Sequence, residues 1–113
     1  MNKFNEIARL NKQNGELFEK YGLPYDETFD AELWAKVRDN IVRPNNMRIL
    51  GLLKEVAGDI KPEDMKTYNL WIRHIEAFEE INTPGFVADD NKTYPTFPCG
   101  IDEFLEKYKG DEK

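Results

Sequence analysis

The sequence predicts an all-α fold, a compact bundle of four to five helices forming one helical domain over residues 1–113. Three observations carry this reading. Apolar residues recur at the 3.6-residue period in almost every segment, plausible helix starts and stops punctuate those periods, and the one long stretch without a period, about 82–100, reads "TPGFVADDNKTYPTFPCG" from Thr83 on. Phe86, Val87, Tyr94 and Phe97 give that stretch apolar anchors, so it is expected to lie across the helices in extended form.

Residues 4–21 place Phe4, Ile7, Ala8, Leu10, Leu17, Phe18 and Tyr21 on one half of a helical wheel, with Asn5, Glu6, Arg9, Lys12, Glu16, Glu19 and Lys20 opposite. Gly22 stands where a left-handed C′ glycine would end this helix, and Pro24 follows. The centre of the stripe is polar, with Asn11, Asn14 and Gly15 between the flanking hydrophobes. A buried amide must find a hydrogen bond or lose about 1–3 kcal/mol. Two readings follow: the amides pair across a helix–helix interface and fix its register, or this turn simply faces water.

A second helix is expected over about 30–42, capped by Thr28 or Asp30, with Phe29, Leu33, Val37 and Ile41 on one side, Trp34 widening the stripe, and Arg43 before Pro44 as the stop. A third follows at once, capped by Asn45 or Asn46, and carries Ile49, Leu50, Leu52, Leu53 and Val56 toward Gly58. Pro62, Glu63 and Asp64 suit the opening of a fourth helix that runs to about Ile81. Its apolar arc is unusually wide, so the helix must be covered on two sides. A last short helix, from Ile101 or Asp102 to Tyr108, carries Phe104 and Leu105.

At 113 residues the chain has room for one core. Hydrophobic residues at 40% and charged residues at 34% fit neither a disordered chain nor a disulfide scaffold. The net charge of −6 disfavours nucleic acid as a partner. It is uneven: residues 62–113 hold 12 acids against six lysines and arginines, and the first 61 residues are neutral overall. A single cysteine, Cys99, excludes an internal disulfide and a cysteine-built metal site, and suits a reducing, cytoplasmic setting. No leader-like or membrane-spanning apolar run is visible, so no membrane association is expected.

The only histidine, His74, lies inside the apolar arc of the fourth helix, in "YNLWIRHIEAFEEI". Catalysis would need a group to orient the imidazole and a nucleophile or substrate for it to act on. Neither is visible nearby, and a packed core or interface histidine is the simpler reading. Asp89, Asn91 and Thr93 have the alternate spacing of a calcium loop, but Tyr94 and Gly100 stand where its glycine and bidentate glutamate belong. Neither Glu79–Glu80 nor Asp89–Asp90 is given acid–base work. No phosphate loop, dinucleotide fingerprint or nucleophile elbow occurs. No catalytic, cofactor-binding or metal-ligating residue is therefore assigned, and no cofactor is expected.

The sequence favours a non-enzymatic protein-binding protein, an inhibitor, adaptor, assembly factor or small structural subunit, acting through apolar helix faces and an acidic C-terminal half. The interface candidates are Phe4, Ile7, Leu10, Asn11, Asn14, Leu17 and Phe18, against an unidentified protein or a second copy in a homodimer. One alternative is a helix-turn-helix DNA-binding protein using helices about 30–42 and 46–57, with Lys36, Arg38, Arg43, Arg48 and Lys54 clustered there. A second is a small enzyme using His74.

Overall fold

The computed structural model describes residues 2–87, 91, 94 and 97–110. Helix α1 (Lys3–Tyr21) starts at Asn2, whose Oδ1 accepts the Phe4 N–H at 2.7 Å. Helix α2 (Ala31–Val37) starts at Asp30, whose carboxylate accepts the N–H groups of Glu32 and Leu33. Both caps satisfy amide donors that the first helical turn leaves unpaired.

The expected turn at Pro44 is absent. α2 continues through a wide π turn (Arg38–Val42) into α3 (Arg43–Glu55), and Val37, Arg38, Val42 and Arg43 all keep right-handed helical backbone. Inside a helix a proline lacks a donor and its ring collides with the carbonyl four residues back. Here the turn just upstream widens, and the Arg43 N–H donates to the carbonyl of Arg38, five residues back. The proline is thus absorbed by one extra residue rather than ending the helix.

That extra residue rotates the register. The stripe read for the second helix is not core: Leu33 is 42% exposed and no residue of α2 is fully buried. Downstream of the π turn, Val42, Ile49, Leu50, Leu52, Leu53 and Val56 are all buried. Asn45 and Asn46 cap nothing, because they sit inside α3.

Single 3₁₀ turns, Ala57–Asp59 and Pro62–Asp64, lead into α4 (Met65–Ile81), and Gly100, at φ 78°, opens α5 (Ile101–Tyr108). The bundle is 21 Å deep, about two helix diameters, so each helix can meet the core on one side only. One cluster unites Phe4, Ile7 and Leu10 of α1 with Ile49, Leu52 and Leu53 of α3, Tyr68, Trp71 and Ile75 of α4, and Ile101, Phe104 and Leu105 of α5. Tyr68 enters it with its hydroxyl paired, donating to the Leu53 carbonyl at 2.7 Å.

Gly22 is a correction of another kind. Its φ of −107° is not left-handed. A Cβ there would stand 3.0 Å from the Phe18 ring and 3.1 Å from the Trp34 ring, so the glycine makes room for two aromatics where α1 meets α2. Of the described part of segment 82–100, Pro98 is buried and Phe97 packs edge-on against Trp71, whereas Val87 is exposed and anchors nothing. Asp89, Asp90 and Thr93 lie outside the described residues.

Polar bonds pin the ends of the bundle. Buried Asp64 accepts from Tyr108 Oη at 2.6 Å and Lys107 Nζ at 2.9 Å, and Tyr108 Oη accepts the Lys61 N–H at 3.0 Å. Buried Asn5 accepts the Gly110 N–H at 3.1 Å, and the Phe4 and Tyr108 rings stack. The hydrogen bond from Tyr108, then that from Lys107, holds the Asp64 carboxyl below its usual range. Its folded-state pKa lies below the unfolded value of about 3.9, so its contribution is fully present above that value and is lost as pH falls through the folded-state value. Hydrogen bonding from Arg48, from the Thr28 backbone and from Arg38 likewise lowers Glu6, Asp26 and Asp39, which adds acid sensitivity of the same sign. Asp64→Asn should therefore melt below the wild type at pH 7, with the gap narrowing between pH 4 and pH 2.5. Thermal melts followed by circular dichroism across that range check it; a gap independent of pH would remove Asp64 from the acid response.

Candidate functional site

Within the polar centre of the α1 stripe, Asn14 is satisfied inside the chain. Asn14 Nδ2 donates to Asn46 Oδ1 at 2.9 Å, and Asn45 Nδ2 donates to Asn14 Oδ1 at 2.9 Å and to Gln13 Oε1 at 2.8 Å. The residues after Pro44 thus serve as an amide clamp between α1 and α3. Beside it, Arg48 bridges to Glu6 at 3.0 Å, and Arg43 makes a two-pronged pair with Glu79 of α4 at 2.9–3.0 Å. With Arg38 on Asp39 at 3.0 Å, three of the five basic side chains that suggest a DNA-binding surface are engaged by carboxylates of their own chain. The turn that a helix-turn-helix requires is missing as well.

The seven residues of the stripe divide. Phe4, Ile7 and Leu10 are core, Asn14 belongs to the clamp, and Leu17 is half-buried. Asn11 and Phe18 line a groove of about 890 Å³. It is lined by α1 from Ala8 to Glu19, by Asp102, Leu105 and Glu106 of α5 with Lys109 just beyond that helix, and by Trp71, His74 and Phe78 of α4. Trp34, Val42 and Asn46 line it from the α2–α3 side, and Phe97 also borders it. The groove is open to solvent, leaving Phe18 48% and Phe97 46% exposed. The rings are held at defined angles: Phe18 stands edge-on to Trp34 at 5.6 Å, and Phe97 edge-on to His74 at 5.5 Å.

His74 is thus a half-buried groove residue rather than a core one, and so is Phe78, which the helical period places in the core. Cys99 is exposed and does not line the groove. Glu16, Glu19, Asp102 and Glu106 are acids on the groove against Lys12 and Lys109, and Lys109 is bound to Glu106 at 3.1 Å. The sequence reads Trp34 and Leu105 only as stripe residues of their own helices and assigns no site role to the α5 residues; the over-wide arc of α4 is the signal that points to them, because its second side is the one the core leaves to the groove.

Among the described residues no group of three His, Cys, Asp or Glu side chains is placed to hold a metal ion, and no helix is long and apolar enough to cross a membrane. No family model, curated protein or solved structure matches the chain.

Proposed function

We propose that this chain is a non-enzymatic protein-binding protein, an inhibitor, adaptor, assembly factor or small structural subunit, that takes an apolar segment of its partner into the groove between α1, α4 and α5. The observation that carries the proposal is the pair of half-exposed rings, Phe18 and Phe97, set over the half-buried Trp34, His74 and Phe78 in one continuous concavity. Aromatic side chains held rigidly around a concavity are the usual anchors of protein recognition, because they bury much area at little conformational cost. The acidic C-terminal half supplies part of one wall through α5, where charge sets orientation and encounter rate more than affinity.

On this reading the contact falls mainly on Asn11, Phe18 and their neighbours, which line the groove. Phe18→Asp should keep the fold and reduce capture of the native partner at least tenfold, as expected when an interface aromatic is replaced by a charge. Charge reversal at Lys36 or Lys54, which do not line the groove, should leave capture unchanged. Pull-downs quantified against the wild type, with circular dichroism as the folding control, decide it; undiminished capture by a folded Phe18→Asp would move the contact elsewhere. His74→Gln in the same assay separates the small-enzyme reading, since a role confined to binding predicts weakened capture with no turnover lost.

A further inference from the structure

Resting on that reading, we propose that the occupant of the groove is an amphipathic helix of a partner protein, with Lys or Arg flanking its apolar stripe, laid along α1 and crossing it at Gly15. Three independent features specify it. The first is length and wall type. The α1 wall runs from Ala8 to Glu19, about 16 Å or three turns at 1.5 Å per residue, which matches a partner presenting anchors at i, i+4 and i+7. The walls are helices whose backbone bonds are made internally, so an extended peptide would find no sheet edge to join among the described residues.

The second is Gly15. It lies mid-helix, where glycine weakens a helix relative to alanine. Gly22 is explained by Phe18 and Trp34, but a Cβ added at Gly15 would meet nothing within 4 Å. Its own fold gives this glycine no packing reason. A second helix does, because a wall without a side chain lets another backbone approach closely, and Asn11, one turn earlier, lends a half-buried amide with no side-chain hydrogen bond among the described residues.

The third is charge. Four exposed carboxylates and two ammonium groups rim an apolar interior, and the pairing of Lys109 with Glu106 leaves Glu16, Glu19 and Asp102 against Lys12. Basic residues beside the partner's apolar anchors would meet Glu16 and Glu19 on one wall and Asp102 on the other, whereas acidic ones would be repelled. A second copy of this chain, itself at −6, fits that rim poorly.

Both tryptophans of the chain, Trp34 and Trp71, line the groove, so intrinsic fluorescence reads its occupancy if the probe contains none. The probes are four-turn Trp-free helical peptides with leucine at i, i+3, i+4 and i+7, flanked by Lys in one and by Glu in another, plus a scrambled peptide of the Lys composition. The Lys-flanked helix should bind saturably and at least tenfold more tightly than the other two. Gly15→Leu, folded by circular dichroism, should weaken it tenfold or more, and Gly15→Ala should raise Tm by about 2–5 °C while weakening binding. Equal binding of the Lys and Glu helices overturns the basic partner but leaves the apolar groove as the binding site. Equal binding of ordered and scrambled Lys peptides, or undiminished binding by Gly15→Leu, overturns the helix along α1. Self-association of the wild type that Gly15→Leu abolishes in sedimentation overturns it in favour of a second copy. If no probe perturbs the tryptophans while Phe18→Asp still abolishes capture of the native partner, the helix is overturned and the protein-binding reading stands.

Discussion

Trp71→Ala should destabilise the protein by about 3–5 kcal/mol, the usual cost of truncating a buried aromatic, against a total stability of about 5–15 kcal/mol for a domain. The indole is 1% exposed, belongs to the one cluster that joins α1, α3, α4 and α5, and meets Phe97 edge-on at 6.1 Å. Its loss leaves a cavity that three helices and the described end of the 82–100 segment would have to collapse into, and helices fixed by the Asp64–Tyr108 and Arg43–Glu79 contacts cannot follow freely. Phe78→Ala, seven residues on, should cost clearly less, because that ring is half-buried on the groove. Urea unfolding followed by far-UV circular dichroism measures both. A loss below about 1 kcal/mol at Trp71 would show that the site relaxes far more than ordinary cores do.

How far these features could be read from sequence depends on the distance over which each is determined. The stripe of α1, the Asp30 cap and the stop beyond Ile81 are local, set by spacing and by residues next to the helix ends, and they were legible. Pro44 was not. Its sequence signature is the same whether the chain turns or widens by one residue, and the choice is made by packing: continuing the helix brings Asn45 and Asn46 onto Asn14, some 31–32 positions away, and Arg43 onto Glu79. Asn14 in the α1 stripe signals a polar partner, but periodicity has no means of saying that Asn45 and Asn46 of the same chain supply it. Gly22 was assigned to the right helix end for the wrong reason, since spacing does not separate a glycine needed for φ from one needed for room.

The groove was the least legible feature, for a physical reason. Periodicity identifies which residues are apolar, and in a two-layer bundle it does not say which of them are left uncovered. The wide arc of α4 shows that two sides need cover; only the packing shows that Ile75 takes the core side, that His74 and Phe78 line the groove, and that the buried Trp71 borders both.

Leu10→Asp and Phe18→Asp should therefore part company, although both leucine and phenylalanine sit on the same apolar stripe of the same helix. Leu10 is buried in the core cluster among α3, α4 and α5 residues. A carboxylate there loses its hydration among apolar core side chains, and with the lost apolar contact the cost reaches several kcal/mol, enough to unfold most of the population. Phe18 is half-exposed, and its replacement forfeits the edge contact with Trp34 and part of its buried area, about 1–2 kcal/mol. Leu10→Asp should lose its cooperative melt by circular dichroism, while Phe18→Asp keeps one, shifted down by only a few degrees. Sedimentation of both adds the state of assembly: if the chain pairs with its twin through the α1 stripe, Phe18→Asp should dissociate the pair without unfolding it. A Leu10→Asp protein that melts like the wild type would show instead that this part of α1 is surface, and would return Phe4, Ile7 and Leu10 to the list of residues a partner could cover.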